Sequence, residues 1–124
     1  MKSLVLGSPT IINQITPIVH ELDMDVVPVF EDGIDGFIGN SHGMKDIKLA
    51  LLDCRLKNLE NAYVYLRKFE QLPIAFLINN HTDWGRITAM EPDGFVDCGY
   101  GEQVVKSYLT SVLRIVSRNA RCRN

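Results

Sequence analysis

Five short apolar runs set the terms for this chain: SLVL at 3–6, DVVPVF at 25–30, IKLALLD at 47–53, IAFLI at 74–78 and GFV at 94–96. Most of them are apolar at successive positions rather than at alternate ones. Strands of that kind are covered on both faces, and a parallel sheet is the arrangement that covers them. The run at 47–53 is the longest and stops on Asp53. A carboxylate at the carboxyl end of a buried strand lies where open α/β sheets place their ligands. A plain strand-ending or capping residue is the other reading of Asp53.

The segments between the runs have helical spacing. Ile11, Ile15, Ile18, Val19 and Leu22 predict a first helix, with Ser8 as its cap, Pro9 at the first helical position and Pro17 as an interior kink. Ile34, Phe37 and Ile38 predict a short second helix between the Glu31-Asp32-Gly33 turn and an Asn40–Gly43 loop. Leu59, Ala62, Tyr63, Leu66 and Phe69 predict a third helix over 58–70. A short fourth helix is expected over 83–90, weakened by Gly85. The last helix is expected over 102–118, burying Val104, Val105, Tyr108, Leu109, Val112, Leu113 and Val116, with a basic turn from 119 on.

Strand and helix therefore alternate five times, which calls for right-handed crossovers and helices on both faces of the sheet. The expected fold is α/β: a flavodoxin-like (βα)5 three-layer sandwich with a parallel sheet in the order 2-1-3-4-5. Pro28 cannot donate to a ladder, so its strand belongs at an edge, as that order provides. The 124 residues make one domain, 1–124.

Several function classes are disfavoured. A net charge of −2 gives no general attraction to nucleic acid or anionic membrane. No apolar run approaches the length of a membrane span, and the N-terminus reads as a strand rather than a signal peptide. Cys54, Cys98 and Cys122 have the spacing of neither a disulfide framework nor a zinc site, and they favour a reducing cytoplasm. Cys54 and Cys98, beside Asp53 and Asp97, lie in acidic surroundings that suit packing rather than a reactive thiolate.

With these pieces in order, the chain resembles the receiver domains of two-component response regulators over essentially its whole length. MKSLVLGSP resembles the family's first strand and acidic turn, and DVVPVFEDGIDGF its second strand and following helix start. IKLALLDCRL resembles the third strand with the phospho-accepting Asp, LPIAFLIN the Pro-led fourth strand, and PDGFVDCGYGEQVVKSYL the fifth strand and last helix.

The resemblance implies Asp53 as the phospho-acceptor position. It places the family's two Mg²⁺-holding acids on Gly7 and Ser8. Its Ser/Thr falls on Ile78, or on Asn79 with a one-residue slip, and its Lys falls on Cys98. The aromatic switch position falls on Phe95. Of the charged and hydroxyl positions only Asp53 is retained. Phosphoryl transfer onto a carboxylate relies on positioning and charge neutralisation, and Gly7, Ser8, Ile78 and Cys98 supply no charge. Asp53 alone makes a weak Mg²⁺ site, since Mg²⁺ wants several oxygen ligands. Glu31 and Asp32 are read as turn residues, with a bridging role at the metal as the alternative.

The expectation is a degenerate receiver without enzymatic activity, cofactor or tightly held metal. It would act in a phosphorelay by recognising a signalling protein, a histidine kinase or an output domain. The resemblance implies that the face made by the fourth helix, fifth strand and fifth helix, with Phe95 and Tyr100, is the output surface and a homodimer surface. Trp84 is read as packing or as a contact anchor, and the polar 79–82 loop as solvated. One alternative keeps the fold with a working phospho-acceptor Asp53. Another is a small flavodoxin-like ligand-binding domain, although no Gly-rich phosphate loop is present.

Overall fold

A computed structural model describes residues 2–39, 44–69 and 71–122, with the side chains of 115–122 left aside. The predicted Asn40–Gly43 loop, Glu70, the buried position of Val116 and the end of the tail lie outside what it describes.

The elements follow the expected alternation. They are β1 (Lys2–Gly7), α1 (Pro9–Glu21), β2 (Asp25–Phe30), α2 (Ile34–Ile38), β3 (Ile47–Asp53), α3 (Leu59–Leu66), β4 (Ile74–Ile78), α4 (Trp84–Ile87), β5 (Gly94–Asp97) and α5 (Glu102–Cys122). A 3₁₀ turn, Glu31–Gly33, leads into α2. The five strands form one parallel sheet in the order β2-β1-β3-β4-β5. This is the α/β flavodoxin-like arrangement that the sequence pattern called for. Pro28 lies on the edge strand β2, opposite Val5.

The core has two layers, one on each face of the sheet. Leu4, Leu6, Leu52, Ile74 and Phe76 pack with Ile34, Leu59, Leu66 and Ile87 from α2, α3 and α4. Val5, Leu49, Leu51, Leu77 and Val96 pack with Ile12, Ile15, Val19, Val105 and Leu109 from α1 and α5. The central strand β3 feeds both layers, which is why its apolar residues are unbroken.

Helix α1 begins as read from the sequence: the Ser8 hydroxyl accepts the Ile11 N–H at 3.3 Å, and Pro9 follows it. The helix continues across Pro17. Its buried stripe is Ile12, Ile15, Ile18 and Val19, so Ile12 joins the core while Ile11 and Leu22 sit at its margin. Its end is a Schellman closure, with Asp23 N–H donating to the His20 carbonyl and Met24 N–H to the Val19 carbonyl. Asp23 there adopts φ 61°, which glycine adopts without steric cost. Asp23→Gly should raise stability by about 0.5 kcal/mol, the relief of this strain less the entropy of a freer unfolded chain. Urea denaturation measures it.

Helix α3 is shorter than the predicted 58–70. It ends at Leu66, with Arg67 as its C-cap. The Arg67 guanidinium donates to the Tyr63 hydroxyl at 2.9 Å, to the Glu91 carbonyl at 2.6 Å and to Asp93 at 3.2 Å. Asp93 also accepts the Ile74 N–H at 2.8 Å, so this network fastens the start of β4. Turns close through Lys68 and Phe69, whose N–H groups donate to the Tyr65 and Leu66 carbonyls, and Leu72 N–H donates to the Phe69 carbonyl just before Pro73.

Helix α4 is four residues long, capped by the Asp83 carboxylate, against the predicted 83–90. Helix α5 runs on to Cys122 rather than ending at 118. Val104 and Tyr108, expected in its buried stripe, are instead exposed, whereas Val105, Leu109 and Val112 are buried. The helix rests against one face at the sheet margin, so its apolar stripe is wider than the strip that is covered.

Candidate functional site

All five strands end on the same side, and Asp53 is the last residue of the central one. Its side chain is 3% exposed. Its Oδ1 accepts the Arg55 N–H at 3.0 Å, a local turn that fixes the carboxylate as the chain leaves the sheet. A cleft of about 370 Å³ opens above it, lined by Ser8, Thr10, Ile11, Glu31, Asp53, Arg55 and Leu56. A second, shallower depression shares Ser8 and Glu31 and extends over Phe30, Asp32 and Lys57.

Gly7 sits hard against the carboxylate. A Cβ at that position would stand 3.1 Å from Asp53 Cβ and 3.4 Å from its Oδ2. The absence of a side chain at residue 7 therefore lets Asp53 lean over β1. Ser8 is committed to capping α1 and also lines the cleft. Ile78 ends β4 and packs its alkyl chain against the α2–α4 layer. Asn79, the other candidate for that position, closes a turn on itself. Its N–H donates to the Thr82 hydroxyl at 2.8 Å and its Oδ1 accepts the His81 N–H at 2.8 Å.

Cys98 follows β5 and is nearly buried. Its N–H donates to the Ile78 carbonyl at 2.8 Å, and its carbonyl accepts from the Gln14 side chain at 2.9 Å. Burial, and then the Asp53 charge, push both the Cys98 and the Cys54 thiols up to about 12. Neither is a thiolate near neutrality. The two pack into opposite core layers, Cys54 with α2–α4 and Cys98 with α1 and α5, as the sequence reading of them as packing residues requires.

Two things about the cleft were not read from the sequence. The cation that lines it is Arg55, while Lys57 lines the neighbouring depression. Glu31 is more than a turn residue: its Oε1 accepts the Lys57 N–H at 2.8 Å and ties the β2 turn to the loop after Asp53. The signal for that loop was its unusual charge density, RLK at 55–57 facing an acidic turn. No group of three or more His, Cys, Asp or Glu side chains suited to a metal occurs among the described residues.

The same loop is bound from its other side. Arg86 of α4 donates to the Lys57 carbonyl at 3.0 Å and pairs with both oxygens of Glu60. That pairing holds the Glu60 carboxyl down at about 2, against an ordinary value of 4.5. A carboxyl lowered in the folded state stabilises above its unfolded value and ceases to as the pH falls through its folded value. The stability difference between the wild type and Glu60→Gln should therefore shrink steadily from pH 4.5 towards 2. Added salt should narrow it at neutral pH, because the pair is solvent-exposed.

Five of the exposed apolar residues belong to α4, β5, α5 and the loop between the last two. Phe95 of β5 and Trp84 of α4 meet as a tilted pair at 5.6 Å between ring centroids, and Phe95 meets the core through Phe76 at 6.2 Å. Because α4 is a single turn, it leaves Phe95 partly uncovered and Trp84 half-exposed. Tyr100, Val104 and Tyr108 add exposed apolar surface from the β5–α5 loop and α5.

No family model matches the chain, and no curated protein does. The folds of solved structures do match. The N-terminal domain of a response regulator/sensory box/GGDEF three-domain protein from Carboxydothermus hydrogenoformans is 19% identical, with a TM-score of 0.77 over 97% of this chain and 99% of that one. The signal receiver domain of a modulated diguanylate cyclase from Desulfovibrio desulfuricans G20 is 15% identical, with a TM-score of 0.72 over 95% and 97%. The anti-anti-sigma factor PhyR from Bartonella quintana is 17% identical, with a TM-score of 0.71, and this chain spans 51% of its length. The fold is that of a response-regulator receiver domain. Among the described residues no helix is long and apolar enough to cross a membrane.

Proposed function

We propose that this chain is a receiver-type signalling module that works by protein–protein recognition, without Mg²⁺-dependent phosphorylation of Asp53. The observation that carries this reading is the surroundings of Asp53. The positions where the receiver resemblance requires acids, a hydroxyl and a lysine hold Gly7, Ser8, Ile78 and a buried, neutral Cys98. An incoming phosphoryl group would meet a nearly buried carboxylate with neither a metal cage nor a lysine to offset its charge.

Recognition falls to the face of α4, β5 and α5. The receiver resemblance makes it the output surface, and Trp84, Phe95 and Tyr100 provide exposed aromatic anchors of the kind that dominate binding energy. A signalling protein or a second copy of the chain is the partner class that this surface suits.

The test is incubation with acetyl phosphate and Mg²⁺, read by intact mass. No phosphoryl adduct is expected on protein shown to be folded. An adduct that is lost in Asp53→Ala would overturn the reading and favour a working phospho-acceptor, for which the open cleft over Asp53 leaves room.

A further inference from the structure

Asp53 is 3% exposed, yet part of its carboxylate is left to the cleft above it. Oδ1 accepts the Arg55 N–H, whereas Oδ2, beside Gly7, has no hydrogen-bond partner among the described residues. A buried carboxylate with spare acceptor capacity is costly unless something supplies donors. Glu31 lines the same cleft and spends Oε1 on the Lys57 N–H, which leaves Oε2 free to accept. The Ser8 hydroxyl, which caps α1, keeps a second lone pair. Asp53, Glu31 and Ser8 are too few for the octahedral oxygen cage of Mg²⁺, but they match the three donors of a primary ammonium group. Arg55 lines the cleft as well, and its guanidinium makes no ion pair among the described residues. Half-buried Ile11 and buried Leu56 supply apolar wall. At about 370 Å³ the cleft has the size of a small ligand site.

We propose that the cleft over Asp53 binds a free α-amino acid with a small apolar side chain. Asp53, Glu31 and Ser8 take its ammonium group, Arg55 takes its carboxylate, and Ile11 and Leu56 receive its side chain. The mixture of charges decides the class. An anion alone would meet the Asp53 and Glu31 carboxylates, and a simple amine would leave Arg55 unanswered; a zwitterion satisfies both signs at once. Binding makes and breaks no covalent bond, and neither a metal nor a phosphoryl group takes part. Amino-acid binding and recognition through α4, β5 and α5 fail separately: a phosphoryl adduct on Asp53 would overturn the recognition reading without measuring affinity for an amino acid.

The test titrates the protein with L-alanine, L-valine and L-leucine and follows the amide resonances of Arg55 and Lys57, whose N–H groups donate to Asp53 and Glu31. At least one of the three amino acids should give saturable shifts. L-Leucine has two analogues that each lack one charge: isoamylamine has no carboxylate, and 4-methylpentanoate has no ammonium. The corresponding amine of whichever amino acid binds best should bind about tenfold more weakly, as the loss of one charged hydrogen bond implies, and the corresponding acid should not bind. Arg55→Gln should weaken the amino acid about tenfold and leave the amine unchanged, while Glu31→Gln should weaken both. No shift with any of the three amino acids, up to their solubility, would overturn the assignment. So would an amine that binds as well as its amino acid, an acid that binds, or an Arg55→Gln variant that loses amine and amino acid alike. If Glu31→Gln fails to fold through its lost bond to Lys57, exposed Arg55→Gln with the same probes decides the matter.

Discussion

Phe76→Ala should destabilise this domain by about 4 kcal/mol, a large share of the roughly 5–15 kcal/mol that holds a domain folded. Phe76 is fully buried in β4 and is among the largest such side chains in the chain. Its ring meets Tyr63 of α3 edge-on at 5.7 Å and Phe95 of β5 at 6.2 Å, so truncation opens a cavity between two layers and breaks two aromatic contacts. Neighbouring β3 and β5 are fixed by the sheet ladder and cannot collapse into the space. Phe76→Leu, which keeps most of the volume, should cost less than half as much. Chemical denaturation with both variants measures the difference, and equal losses would show that the site collapses more freely than this packing allows.

The second large effect is a gain. Ser8→Asp together with Cys98→Lys should make Asp53 far more readily labelled by acetyl phosphate in the presence of Mg²⁺ than it is in the wild type. Ser8 lines the cleft, so a carboxylate there faces Asp53 across open space. Two carboxylates begin to make the oxygen cage that Mg²⁺ needs. Gly7→Asp should do less and should destabilise, because its Cβ would press on Asp53 Cβ at 3.1 Å and the new charge would crowd a buried carboxylate. Ser8→Asp keeps an oxygen at the α1 cap, where aspartate serves as well as serine. Calorimetric titration with Mg²⁺ should show binding in the double variant at concentrations where the wild type shows none. Equal labelling of the wild type would mean that the charge supplied at the cleft by Arg55 suffices.

The two levels of the molecule were not equally legible in the sequence. The sheet and its order could be read because parallel strands advertise themselves: Leu49–Leu52 and Ile74–Leu77 are apolar on both faces, and Pro28 marks an edge. The position of Asp53 followed from the end of its run. What could not be read depends on reach across space. Val104 and Tyr108 fit the stripe of α5 by spacing, but exposure depends on how far the sheet extends beneath the helix. The partners of Arg67, just past the end of α3, are Asp93 and the Glu91 carbonyl, which lie more than twenty residues further on. The contact of Glu31 with Lys57 spans 26 positions and uses a main-chain donor that no side-chain pattern reveals. Gly7 looked like a missing acid. Only the packing shows that its lack of a Cβ is what gives Asp53 its place.

The edge strand β2 bears on how copies of this protein meet one another and other chains. Pro28 offers no N–H to a passing strand, and the opposite border is β5, only four residues long. Neither border is a template along which a stretched polypeptide would zip. The sheet is therefore poorly suited to extension from one molecule into the next, or to capture by the exposed segments of half-made chains in a crowded ribosomal neighbourhood. Whatever company this domain keeps, it should keep through side chains, and those contacts come apart without tearing any backbone ladder.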